Sequence, residues 1–221
     1  MNVLILGASR GIGLEFARQY HAAGARVTAT ARQEADLQRL RDEGIKPLPL
    51  DVANAESVSR LARQLDGTAF DVAVYCAGVY GPRTSGLQPP TGAEFDEVMH
   101  TNVLGPMRVI PQLADCLAPH ARLALLSSRM GAIGARSSAS GWLYRASKAA
   151  ANSVLKDVSL ALAGRSVCVS FHPGWVQTDM GGAGADLPVD KSVGDMRRVI
   201  AGLADADNGR FLDHDGSGIE W

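Results

Sequence analysis

The run Tyr144-Arg145-Ala146-Ser147-Lys148 sets a phenol and an ammonium four residues apart. On a helix that spacing makes the two side chains neighbours. A free phenol titrates near pH ~10 and exchanges protons poorly at neutral pH. A cation beside it favours the phenolate, which makes Tyr144 a usable general acid or base. The spacing also occurs by chance, as a core aromatic beside a solvated lysine, so the rest of the chain has to decide between the two readings.

A second group of residues points to phosphate. Gly7-Ala8-Ser9-Arg10-Gly11-Ile12-Gly13 follows the short aliphatic run Val3-Leu4-Ile5-Leu6 and precedes an amphipathic stretch. Glycines between a strand and a helix allow a tight turn and close backbone approach to a pyrophosphate. The helix start adds unpaired N–H groups and a favourable dipole.

The elements that would position these residues alternate along the chain. Aliphatic runs at 2–6, 26–30, 46–50, 71–75, 122–127, 167–172 and 209–212 read as strands. Stretches at 12–23, 34–43, 55–65, 94–117, 142–162 and 189–204 read as helices, with Gly105-Pro106 and Pro111 splitting or bending the fourth. Continuous apolar strands separated by helices predict a parallel sheet covered on both faces. Right-handed crossovers make it a doubly wound α/β domain of about seven strands in three layers. Glycine-rich segments at 78–92 and 181–188 leave from strand ends, where ligands of such sheets bind.

The 221 residues suit one domain spanning 1–221. A net charge of −1 with scattered basic residues gives no case for nucleic acid or an anionic membrane. Arg32, Arg39 and Arg41 form the densest basic set. Cys76, Cys116 and Cys168 are dispersed and odd in number, which argues against a disulfide framework. With no basic leader and no apolar run of membrane-spanning length, a cytoplasmic protein is expected. No metal site is expected.

The G-xxx-G-x-G spacing with Tyr144-xxx-Lys148 downstream resembles the short-chain dehydrogenase/reductase family, over nearly the whole chain and most of all its short carbonyl-reductase-like members. The resemblance implies a Rossmann-type domain binding NAD(H) or NADP(H), with the active site at the C-terminal edge of the sheet. By it, Gly7, Ser9, Arg10, Gly11, Ile12 and Gly13 hold the cofactor phosphates, and Asp51-Val52 contact the adenine. Ala77-Gly78 match the end of an Asn-Asn-Ala-Gly motif, whose first two positions are here Tyr75 and Cys76. Pro173, Gly174, Val176 and Thr178 form the segment that meets the nicotinamide carboxamide. Asn102 and Ser128 match the catalytic asparagine and serine, with Ser127 the adjacent alternative. Leu6 stands where a threonine usually precedes the first glycine, so one hydrogen bond in the turn is expected to be lost.

The implied chemistry is hydride transfer between the nicotinamide and a carbonyl or alcohol carbon. Tyr144 donates the proton, Lys148 lowers its pKa and binds the nicotinamide ribose, and Ser128 steadies the substrate oxygen. Asn102 holds a water that links Lys148 to solvent. The second strand ends in Ala31-Arg32, with no acid before Glu34. A guanidinium there binds a 2′-phosphate that a carboxylate would repel, so NADP(H) is expected over NAD(H). Met130, Ile133, Trp142, Trp175, Val176 and Met180 predict a hydrophobic substrate. The family often pairs the helices corresponding to 94–117 and 142–162, which implies a homodimer or homotetramer. The competing reading is a non-catalytic NADP(H) sensor or scaffold on the same fold.

Overall fold

A computed structural model describes residues 1–182 and 184–221. Seven strands, β1 (Asn2–Leu6), β2 (Arg26–Ala31), β3 (Lys46–Pro49), β4 (Phe70–Tyr75), β5 (Leu117–Leu126), β6 (Ser166–His172) and β7 (Phe211–Asp213), form one sheet. Their order is β3-β2-β1-β4-β5-β6-β7, and every pairing is parallel. This is the Rossmann-type arrangement. The chain winds outward from β1 to β3, then crosses back to place β4 on the other side of β1, and ligands of such sheets bind at that reversal.

The strands read as unbroken apolar runs because both faces of the sheet are buried. Val3 and Ile5 of β1 pack in one core with Phe16 of α1 (Gly11–Ala22), Leu40 of α2 (Glu34–Asp42) and Met196 of α8 (Val189–Gly202). Leu4 and Leu6 point the other way. They join Val58 of α3 (Ala55–Ser59), Leu61 of α4 (Leu61–Leu65), Val109 of α6 (Gly105–Leu113) and Leu155 of α7 (Trp142–Ala161).

Most elements lie within a residue or two of the sequence reading, and four segments depart from it in kind or extent. The stretch 55–65 breaks into α3 and α4 at Arg60. The stretch 94–117 becomes α5 (Gly92–Met99), a π-helical turn (His100–Leu104) and α6, and residue 117 already belongs to β5. Pro106 sits in the first turn of α6, where its missing N–H costs little, and Pro111 lies inside that helix without ending it. Strand β5 starts five residues early because Leu117 pairs with Phe70, across an irregularity in the β4–β5 register. Strand β7 is only three residues long and begins at Phe211. Of the 181–188 loop, Ala183 lies outside the described residues.

Candidate active site

The sheet's C-terminal edge opens into a cleft of about 700 Å³. Its floor is the glycine turn. Gly7 has φ +91°, and a Cβ on it would stand 2.8 Å from the Ala77 backbone; one on Gly13 would stand 2.0 Å from the Gly7 carbonyl oxygen. The turn therefore packs backbone on backbone, which no side chain would permit. Helix α1 starts here with no side-chain cap, so its first N–H groups are left for a ligand in the cleft. The hydrogen bond expected to be lost with Leu6 is supplied from elsewhere: the Gly7 amide donates to Thr30 Oγ1 of β2 at 2.9 Å.

Ser9, Arg10, Gly11, Ile12, Arg32, Asp51, Val52, Ala77, Gly78, Pro173 and Thr178 join Gly7, Gly13, Tyr144 and Lys148 in lining this cleft. Gly174 and Val176 do not. Gly174, at φ +87°, turns the chain beside His214 and Leu187, and Val176 is buried where it bridges to Leu187. Asp36 on α2 is a cleft residue that sequence reasoning passed over. Its carboxylate is held at 2.7 Å by Arg39, which also donates to the Ser9 carbonyl and so braces the glycine loop. A carboxylate facing the cleft thus comes already paired with a cation.

Tyr144 and Lys148 lie side by side on α7, both buried, with Lys148 Nζ 5.7 Å from the Tyr144 ring centroid. Lys148 Nζ donates to the Leu126 carbonyl at the end of β5, at 2.9 Å. Burial lowers the Lys148 pKa to about 8. Burial also pushes the Tyr144 phenol up, with Ser128 pulling the other way. This corrects the expectation that Lys148 lowers the Tyr144 pKa: desolvation of the phenol dominates, and the ammonium is turned toward a backbone carbonyl.

Ser128 sits beside the Tyr144 phenol, and its Oγ accepts from the Met130 amide at 3.1 Å. Of the two serines it is Ser127 that lines the cleft, but its hydroxyl turns back to the Lys148 carbonyl at 3.4 Å. The long spacing from Ser128 to Tyr144 is taken up by residues 133–140, which are exposed. Asn102 lies on the π-helical turn and is buried. Its Oδ1 accepts from the Val79 amide at 2.9 Å; its Nδ2 donates to the Val79 carbonyl at 2.8 Å and to Ser147 Oγ at 2.9 Å. Both amide protons are therefore committed. The side chain clamps the segment after β4 to α7 instead of facing the cleft, and Thr101 is the residue of this turn that lines it. Gly78 leaves room for this arrangement, since a Cβ there would lie 3.2 Å from Asn102 Oδ1 and 3.4 Å from Lys148 Nζ.

The cleft thus unites a backbone cradle fit for a dinucleotide with a phenol and an ammonium, and the Ser128 hydroxyl stands beside that phenol. Known proteins share the fold. A carbonyl reductase from Pseudomonas aeruginosa PAO1, solved in complex with NADP, superimposes with a TM-score of 0.88 at 31% identity, covering 100% of this chain and 99% of that one. The carbonyl reductase Sniffer of D. melanogaster gives 0.89 at 28% identity, with 100% and 99% covered. Among curated proteins, a 1-hydroxy-2-glutathionyl-2-methyl-3-butene dehydrogenase from Rhodococcus sp. (strain AD45) is 33% identical, over 99% of each chain. The C-signal of Myxococcus xanthus is 40% identical over 158 residues, 68% of this chain and 92% of that protein. Residues 1–186 match the family described as short chain dehydrogenase, and on that match, its fold and its cleft the protein is a member of the short-chain dehydrogenase/reductase family, close to its carbonyl-reductase-like members.

Proposed function

We propose that the protein is an NADP(H)-dependent oxidoreductase that reduces a ketone or aldehyde to an alcohol, or runs the reverse, with Tyr144 as proton donor. The observation that carries this reading is the placement of Tyr144 and Lys148 in the same cleft as the glycine turn, with Ser128 beside the phenol. Bound NADP(H) supplies or accepts the hydride. The amides of the glycine turn and the start of α1 hold its phosphates, and Asp51 and Val52 border its adenine. Arg32 takes the 2′-phosphate, which sets NADP(H) ahead of NAD(H).

Toward the substrate, Tyr144 gives a proton to the carbonyl oxygen as charge develops there. Ser128 donates a hydrogen bond to the same oxygen. Lys148 holds the nicotinamide ribose. Asn102 keeps the segment after β4 and α7 in register. The exposed Ile133, Trp142, Trp175 and Met180 favour a hydrophobic substrate. Phe95, Met107 and Leu160, exposed on α5, α6 and α7, fit a homodimer or homotetramer paired through those helices. No helix among the described residues is long and apolar enough to cross a membrane, and with three free, dispersed cysteines the protein is assigned to the cytoplasm.

The test is NADPH oxidation over a panel of ketones, aldehydes and quinones. Wild-type protein is expected to turn over at least one of them. Tyr144→Phe is expected to lose about 10²–10⁴ in kcat while still binding NADPH. Equal activity in Tyr144→Phe would sink the assignment of the proton donor. Tight NADPH binding with no turnover across the panel would favour the sensor reading.

A further inference from the structure

One tyrosine beside the site has no part in this chemistry. Tyr80 lies between β4 and α5, and its ring stacks on that of Tyr144 with centroids 4.5 Å apart and planes 22° apart. Aromatic pairs at that separation attract and exclude water from the faces they cover. On the outer side of Tyr80 lies Arg83, its guanidinium carbon 4.9 Å from the ring centroid. Arg83, Tyr80 and Tyr144 thus form a stack of three.

Bonds on either side of Tyr80 hold its segment down. Asn102 clamps both the amide and the carbonyl of Val79. The Gly141 amide, just ahead of α7, donates to the Thr84 carbonyl at 3.0 Å. Arg83 Nη2 donates to the Met180 carbonyl at 2.9 Å, reaching the segment that follows β6. Gly141, at φ +63°, makes room for the ring: a Cβ there would stand 2.6 Å from Tyr80 Oη. Space-filling alone does not account for a ring laid flat on the phenol within a segment fastened on both sides to three separate elements.

We propose that Tyr80 is a positioning residue for Tyr144: its stacked ring fixes the phenol's orientation and keeps water from one face of it, and Arg83 holds Tyr80 there through the Met180 carbonyl. The proposal rests on the reading of Tyr144 as proton donor. The charged and titratable groups facing the phenol are Lys148 from its own helix, with Cys76 behind it, and Tyr80 and Arg83 from the segment after β4. Ser128 adds a hydroxyl from the segment after β5. Among these, Tyr80 alone covers the ring face to face. Loss of its ring would hydrate the phenol and ease its ionisation.

Fluorine NMR of protein labelled with 3,5-difluorotyrosine tests this, because two fluorines flanking the hydroxyl acidify the phenol enough to bring a titration raised by burial within reach. The chain has four tyrosines, so Tyr→Phe variants assign the Tyr144 signal. Tyr80→Ala is expected to lower its titration midpoint by about one pH unit, a tenfold change in ionisation constant. Tyr80→Phe, which keeps the stack, is expected to leave the midpoint in place. Arg83→Ala is expected to lower it by a smaller amount and to speed amide exchange in residues 176–182. An unmoved Tyr144 midpoint in Tyr80→Ala overturns the proposal. If that variant does not fold, an unmoved midpoint in Arg83→Ala, an exposed position, overturns it. The titration needs no substrate. Its failure would leave hydride transfer standing, and an inactive wild type on the carbonyl panel would remove the proposed function without touching the stacking result.

Discussion

Arg10 of the glycine loop and Asp179 of the segment after β6 meet guanidinium to carboxylate at 3.0 Å, across the mouth of the cofactor cleft. Beneath them Gly11 lies close against Thr178, where a Cβ would be 3.3 Å from the threonine methyl. Arg10, a cation that would serve a 2′-phosphate, is already engaged by an acid from the opposite wall.

That pairing predicts a competition. Both side chains are about three-quarters exposed, at 73% and 74%, and such pairs contribute only about 0.2–1 kcal/mol. Asp179→Asn is therefore expected to tighten NADPH binding about two- to fivefold at low salt and to leave NADH binding unchanged. The difference should fade as salt rises. Fluorescence titration of the two cofactors at two ionic strengths measures it, and weaker NADPH binding in the variant would contradict it.

Cofactor preference should turn on Arg32, which is exposed, lines the cleft and has no ion pair among the described residues. Arg32→Asp reverses the charge at the end of β2. NADPH affinity is expected to fall by about tenfold or more, with NADH affinity unchanged or improved. An unaltered NADPH-to-NADH ratio of dissociation constants would remove Arg32 from the phosphate site.

The glycine turn gives a steric test. Gly13→Ala would drive a Cβ to 2.0 Å from the Gly7 carbonyl, so the turn has to open. A loss of about 1–3 kcal/mol in urea unfolding is expected, together with loss of NADPH binding. Gly134→Ala, where nothing lies within 4 Å, is the control and should change neither.

Lys148 should make stability depend on pH in a definite direction. Its pKa falls from 10.5 in the unfolded chain to about 8 in the fold, because burial disfavours the ammonium. Between those values the unfolded chain holds a proton that the folded one has released, so this group adds stability as pH rises from about 8 to about 10.5 and costs it below. Lys148→Met is thus expected to raise stability at neutral pH by on the order of 1–3 kcal/mol, less what the lost bond to Leu126 contributed. The gain should shrink toward pH 10, and activity should be lost. Thermal melts of both proteins at pH 7 and pH 9.5 decide it.

Tyr75 is a buried phenol whose hydroxyl has no hydrogen-bond partner among the described residues, and it lies 2.7 Å from where a Cβ on Gly105 would stand. Burial pushes its pKa far up. Tyr75→Phe removes an unsatisfied group at nearly constant shape and is expected to be neutral or to stabilise by about 1 kcal/mol. Destabilisation above about 1 kcal/mol in denaturant melts would show that the hydroxyl is bonded in solution.

Much of the architecture was legible in the chain. The apolar runs are continuous because both faces of the sheet are covered, so β1 and β6 could be placed almost to the residue. The glycine turn could be located because its backbone-to-backbone packing tolerates no side chain. Helix spacing alone put Tyr144 and Lys148 side by side on α7. These are short-range consequences of residue type and spacing.

Other features depended on residues far apart in sequence. Desolvation of Tyr144 and Lys148 comes from the elements packed around α7, and it reversed the expected direction of the phenol's pKa. The commitment of Asn102 to Val79 and Ser147, the support of Gly7 by Thr30, and the Arg10–Asp179 pair all join segments 23 to 169 residues apart. Tyr80 sits in a glycine- and proline-rich loop that has no periodicity to read. Only the tertiary structure lays it on Tyr144, because stacking is decided by where two loops and a helix end meet, and local sequence carries no record of that meeting.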